Sequence, residues 1–127
     1  MKKAIGIIIL GLFWCNVSLA EKFIWSCLDK GKFQIIIKID TSKKEIEHIS
    51  SYDFDTKIKH NVNEYYKIVD WDSKKGVWAS IIYRQEYANL SFFDFKNNKI
   101  YLSGISLEPA LGASYSNLEY DCFKSNN

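Results

Sequence analysis

The sequence predicts an all-β domain: a small antiparallel meander of seven to eight strands, closed as a barrel or a two-layer sandwich and preceded by a signal-peptide helix. Three observations carry that expectation. Short runs of β-branched and aromatic residues recur between polar clusters, and no long amphipathic helical pattern follows residue 20. Once the first 20 residues are set aside, one cysteine lies near each end of what remains.

Residues 1–20 have the layout of a secretory signal peptide. Lys2 and Lys3 open the segment, an uncharged apolar run extends from Ala4 to Cys15, and Ser18 and Ala20 stand at the −3 and −1 positions of a cleavage site. The run falls well short of the roughly 20 apolar residues that a membrane-spanning helix needs. Phe13 and Trp14 precede Cys15 where a lipid-attachment signal places small residues, so cleavage is expected and no stable membrane anchor remains. The domain then covers residues 21–127, exported to the periplasm or fully secreted. Cleavage lowers the basic residues from 17 to 15 against 15 acidic ones, which leaves no net charge. A nucleic-acid partner is disfavoured, because displacing counterions from phosphates takes a basic footprint. Cys27 and Cys122 are left to form one disulfide in an oxidising compartment.

The strands follow in order. Phe23–Leu28 alternates with Phe23, Trp25 and Cys27 on one face, and Asp29–Lys32 turns the chain. Phe33–Asp40 places Phe33, Ile35, Ile37 and Ile39 together. Glu45–Ser50 returns with broken alternation, which suggests a bulge or an edge. Ser51–Asn63 lacks periodicity and reads as a long connection. Glu64–Asp72 reads as one strand, Ser73–Gly76 as a turn, and Val77–Arg84 as a strand with no wholly polar face. Asn89–Gly104 is a hairpin about Asn97-Asn98, read as a two-residue turn of positive φ. Ile105–Asn117 reads as a low-charge connection and Leu118–Phe123 as the last strand. No internal repeat is evident.

Chemical motifs are sparse. Asp70 and Asp72 share a strand face before a turn, but Lys74 and Lys75 intrude and Gly76 comes one place late for a calcium loop. Asp53 and Asp55 form an i, i+2 pair in a polar stretch, where spacing alone fixes no catalytic separation. His48 and His60 are the only histidines, and no zinc spacing, nucleophile elbow or phosphate loop surrounds them. No metal, cofactor or catalytic residue is assigned. The Lys57–His60 cluster reads as a solvated surface, and most of Trp25, Trp71, Trp78 and the tyrosines as core, with a few left as platforms on an outer face. An early and a late cysteine around hairpins broadly resemble small exported bacterial β-domains such as periplasmic lysozyme inhibitors. Gly112-Ala113-Ser114-Tyr115 departs from the Ser-Gly-x-x-Tyr motif of those inhibitors, and no site is carried over.

The function expected is a non-catalytic domain that recognises another protein, of the inhibitor, immunity or envelope-accessory type. Ile105–Asn117 reads either as a cap folded over one end of the barrel, the favoured reading, or as a partner-binding loop with Ile105, Leu107 and Leu111 as its candidate residues, since binding energy concentrates in a few apolar anchors. The alternative is a carrier of a small apolar ligand in a barrel cavity. A hydrolase built on Asp53, Asp55 or His60 comes third.

Overall fold

A computed structural model of the chain describes residues 21–108 and 112–125. Residues 1–20, where the signal-peptide helix is expected, residues 109–111, which include the candidate Leu111, and residues 126–127 lie outside them. Nine strands form in chain order: β1 (Lys22–Asp29), β2 (Phe33–Asp40), β3 (Glu45–Asp53), β4 (Ile58–Tyr65), β5 (Lys67–Asp72), β6 (Gly76–Tyr83), β7 (Tyr87–Asp94), β8 (Lys99–Glu108) and β9 (Gly112–Ser125). They make one antiparallel sheet in the order β4-β3-β2-β1-β9-β8-β7-β6-β5, curled into a half-barrel. The terminal strands pair in its middle, where Cys27 lies directly opposite Cys122 and is bonded to it. The expected all-β antiparallel meander is present.

The closed barrel or sandwich of seven to eight strands is not. The sheet has nine strands, and its two edges are β4 and β5, which follow one another with only Tyr66 between them. Every ladder from β4 round to β5 is antiparallel, and there are eight of them, so the two edge strands point the same way. They are two halves of one extended run: its first half pairs with β3 and its second with β6. Glu64–Asp72 is therefore not one strand with one partner. The break is at Tyr66, whose amide donates to the Ile46 carbonyl and whose ring is buried. β4 and β6 approach one another over a short stretch without hydrogen-bonding.

Two connections expected from the sequence are strands. Ser51–Asn63 holds the end of β3, a turn and most of β4; nearly every residue of β4 is exposed, so no apolar period marks it. Ile105–Asn117 is the outer arm of the β8–β9 hairpin, which pairs down to Glu108 opposite Gly112. The bulge expected in β3 is present, between His48 and Ser50.

Four of the turns share one device. Asp40, Asp53, Asp72 and Asp94 each end a strand, and each Oδ1 accepts the amides two and three residues on, at 2.9–3.3 Å. The residue four places after the aspartate then takes positive φ: Lys44, Lys57, Gly76 and Asn98. The connection at Asn97-Asn98 is thus four residues long, Asp94 pairing with Lys99, and only Asn98 is left-handed. Gly76 is required, since a Cβ there would stand 2.1 Å from the Phe93 carbonyl oxygen.

The inner face carries the core. Trp25, Ile37, Ile39, Ile46, Val77, Phe93 and Ile100 are fully buried. Phe23, Trp71 and Phe95 pack around Trp25, with the rings of Trp25 and Phe95 edge to face at 5.8 Å. The opposite end of the half-barrel is only partly filled.

Candidate functional site

Strict alternation along β6–β9 sends one set of side chains inward and the other outward, and the outward set is unusually apolar. Three cross-strand rows are in register. Trp78, Phe92 and Tyr101 form the first, with the Trp78 and Phe92 rings 4.9 Å apart. Ser80, Leu90, Ser103 and Asn117 form the second, and Ile82, Ala88, Ile105 and Tyr115 the third. Ile82 and Tyr115 are 70% and 79% exposed, so these are not core residues that merely graze the surface. Val77–Arg84 thus lacks a polar face because its second face is apolar and uncovered. That absence of polarity was the available signal, and only the register of the neighbouring strands turns it into a surface.

Two of the candidate anchors fall on this surface, though not in a loop. Ile105 and Leu107 belong to β8 and point outward, both exposed. Ile105 stands directly opposite Tyr115, and Leu107 opposite Ala113. Leu111 lies outside the described residues.

A second feature occupies the inner face. Between β2–β4 on one side and β6–β9 on the other lies a cleft of about 470 Å³. Its walls combine Phe33, Ile35, Ile81, Leu102 and Leu118 with the polar groups of His48, His60, Tyr87, Asn89 and Tyr120. Gly104 makes room for Tyr87: a Cβ there would meet the phenol oxygen at 2.9 Å. Along the inner face of β7, Ser91 Oγ donates to Asn89 Oδ1 at 2.9 Å, and Asn89 Nδ2 donates to Tyr87 Oη at 3.3 Å. Tyr66 does not line the cleft; its buried ring is stacked on His48, which does, with ring planes 8° apart, and stands edge-on to Phe93.

The electrostatics of the cleft are those of a neutral site. Burial depresses the His48 pKa to about 4, against a smaller opposing contact with the Ser50 backbone, so the ring is uncharged at neutral pH. Burial likewise pushes the phenols of Tyr66, Tyr87 and Tyr120 upward. Among the described residues, no Asp, Glu, Lys or Arg side chain lines the cleft. Two buried polar atoms, His48 Nε2 and Tyr66 Oη, have no hydrogen-bond partner.

The remaining candidates separate. Asp53 is occupied with the amides of Asp55 and Thr56, and Asp72 with those of Lys74 and Lys75. His60 pairs across the ladder with Ser51, and both line the cleft. Among the described residues no hydrogen bond links that serine to a base, the contact a hydroxyl nucleophile needs for activation. Nor do three His, Cys, Asp or Glu side chains among them converge to hold a metal ion. Compared with known proteins, the chain matches no family model, no curated protein and no solved structure.

Proposed function

We propose that the protein is an exported, non-catalytic binding domain that recognises another protein through the outer face of β6–β9. One observation carries the reading: on that face Trp78, Tyr101, Ile82, Ile105 and Tyr115 are exposed in two in-register rows, with exposed Leu90 in the row between them. Contiguous apolar patches are rare on monomers and mark interaction sites. Covering apolar surface yields about 25 cal/mol per Å², and aromatic anchors dominate the energetics of interfaces. Ile105 and Leu107 keep the role of anchors, presented by a strand and joined by side chains from three other strands. The layout of residues 1–20 and the disulfide, which belongs to oxidising compartments, support export.

The test compares the immobilised mature domain with an Ile82→Ser/Tyr115→Ser variant as bait in extracts of the producing cell envelope and medium. Both side chains are already solvated, so the variant keeps the thermal midpoint of the parent. The parent retains a discrete protein that the variant loses. Equal retention by the two baits overturns the assignment to this face. A retained species that is the chain itself, checked by sedimentation, makes the partner a second copy.

A further inference from the structure

We infer that the inner-face cleft is a ligand site, separate from the partner surface, for an uncharged apolar molecule bearing one carbonyl oxygen, with the Tyr87 and Tyr120 hydroxyls as its donors. The cleft has a floor and a mouth. Ile35, Ile81, Asn89, Leu102 and Tyr120 are buried at the floor, whereas His60 is exposed and Tyr83 and Ser116 are half-buried around the mouth. Its volume, about 470 Å³, lies in the range of about 300–1,000 Å³ typical of small-molecule sites. Its apolar walls reward an apolar body. Entry lies between β4, which carries His60 and Val62, and the end of β6 at Tyr83, two strands with no ladder between them.

The chemical class follows from the two phenols. Tyr87 Oη accepts from Asn89 Nδ2, which leaves its own proton without an acceptor among the described residues. Tyr120 is only 4% exposed, and its hydroxyl makes no hydrogen bond to another described residue. Unlike His48 Nε2 and Tyr66 Oη, which are sealed in the protein, this oxygen keeps accessible surface, and the open space that its side chain borders is the cleft. Buried polar groups are ordinarily paired, so two unclaimed phenol protons on an otherwise apolar wall call for an acceptor. A carbonyl oxygen supplies two lone pairs and asks for no acceptor in return. A carboxylate also accepts, but no Lys or Arg among the described residues lines the cleft to offset its desolvation. The Asp29 carboxylate, near enough to act on Tyr120, opposes a second negative charge. An ammonium group meets no Asp or Glu on the described walls and faces donors where it needs acceptors. This site is on the inner face of the sheet, opposite the proposed partner surface, so the two are tested independently.

The experiment titrates the mature, disulfide-bonded protein with 2-octanone, octane, octanoate and octylamine at pH 7. Affinities are read by tyrosine and tryptophan fluorescence, and the bound ketone by its infrared carbonyl stretch. The ketone is expected to bind saturably and at least about tenfold more tightly than either charged probe, with its stretch below the position it has in hexane. Tyr120→Phe and Tyr87→Phe each delete one hydroxyl and keep the ring, and the thermal midpoint checks that each folds; either variant alone decides. Each is expected to hold octane as the parent does, to lower the ratio of ketone to octane affinity about fivefold, and to move the stretch towards its hexane position. The outer-face variant Ile82→Ser/Tyr115→Ser is expected to bind the ketone as the parent does. No saturable binding of the ketone, tighter binding of a charged probe, a ratio and stretch unchanged in the phenylalanine variants, or loss of ketone binding in the outer-face variant each overturns the inference. Failure here leaves partner capture on the outer face unaffected, and the converse also holds.

Discussion

At the scale of single residues, one aspartate of each pair that resembles a catalytic or metal-binding site, Asp53 and Asp72, holds a turn, as Asp40 and Asp94 do elsewhere. Asp94 accepts the amides of Lys96 and Asn97, both at 3.1 Å, and the Asn97 side-chain amide at 2.9 Å. Burial pushes its pKa up, but the Asn97 side chain and the two amides together outweigh that and hold it below the ordinary value of 3.8. Asp40 and Asp72 are lowered in the same way, Asp40 chiefly by the Ser42 hydroxyl and Asp72 by the amides of Lys75 and Lys74. A carboxylate whose folded pKa is depressed favours the folded state fully above its unfolded pKa. That contribution is lost as pH falls through the folded value. Asp94→Ala is therefore expected to lower stability by about 1–2 kcal/mol at pH 7 in urea unfolding. The gap between parent and variant should narrow below about pH 4, where the parent's carboxyl protonates in both states. A gap that widens on acidification would contradict the turn role. The spacing of these aspartates is visible in the sequence; their job is not, because a pair such as Asp53 and Asp55 reads the same whether its oxygens face a substrate or a backbone amide.

At the scale of elements, Tyr66 decides how a run of strand-forming residues is divided between two edges. The segment Glu64-Tyr65-Tyr66-Lys67-Ile68-Val69 has continuous β character, so nothing local announces a change of partner. The change comes from burial: the Tyr66 ring packs on His48 and Phe93 while its amide reaches Ile46. Tyr66→Ala is expected to cost about 3–5 kcal/mol in urea unfolding, as large-to-small core substitutions do. Tyr66→Phe should leave stability nearly unchanged or raise it slightly, because the deleted oxygen has no partner. Similar losses for the two variants would mean that the hydroxyl is bonded after all. Strands whose inner faces meet the core, such as β2 with Ile35, Ile37 and Ile39, were legible from alternation alone, with bounds that match. β4 and the β8–β9 arm were not, since exposed strands lack the apolar period that betrays a strand. The outer rows escaped for a related reason: alternation assigns faces but does not say which faces are covered.

At the scale of the whole molecule, chain order and spatial order are inverted. The middle of the chain supplies the two edges of the sheet, and the ends of the domain meet at its centre through β1 and β9. That central ladder joins residues far apart in sequence, so its formation bears the largest loop-closure entropy in the fold. The Cys27–Cys122 bond, across a separation of 95 residues, sits directly on that ladder and removes most of that entropy from the unfolded chain. A link of this span contributes on the order of 4–5 kcal/mol in the chain-entropy account. The two arms differ in what reduction would leave them. The β1–β4 arm and the β5–β9 arm are each consecutive hairpins, closed by short turns and able to form without the bond. Reduction should therefore lower the urea midpoint steeply. In hydrogen exchange on the reduced protein, amides of the β1–β9 ladder should lose protection before those of β2–β3 or β7–β8. With the export proposed above, protein recovered outside the cytoplasm should show no free thiol when denatured without reductant, apart from any chain that retains Cys15. Two free thiols per mature chain, or identical urea midpoints with and without reductant, would mean that the sheet holds its centre by packing alone. The half-barrel would then owe its closure to Trp25, Ile37 and Ile100 rather than to the covalent link between its ends.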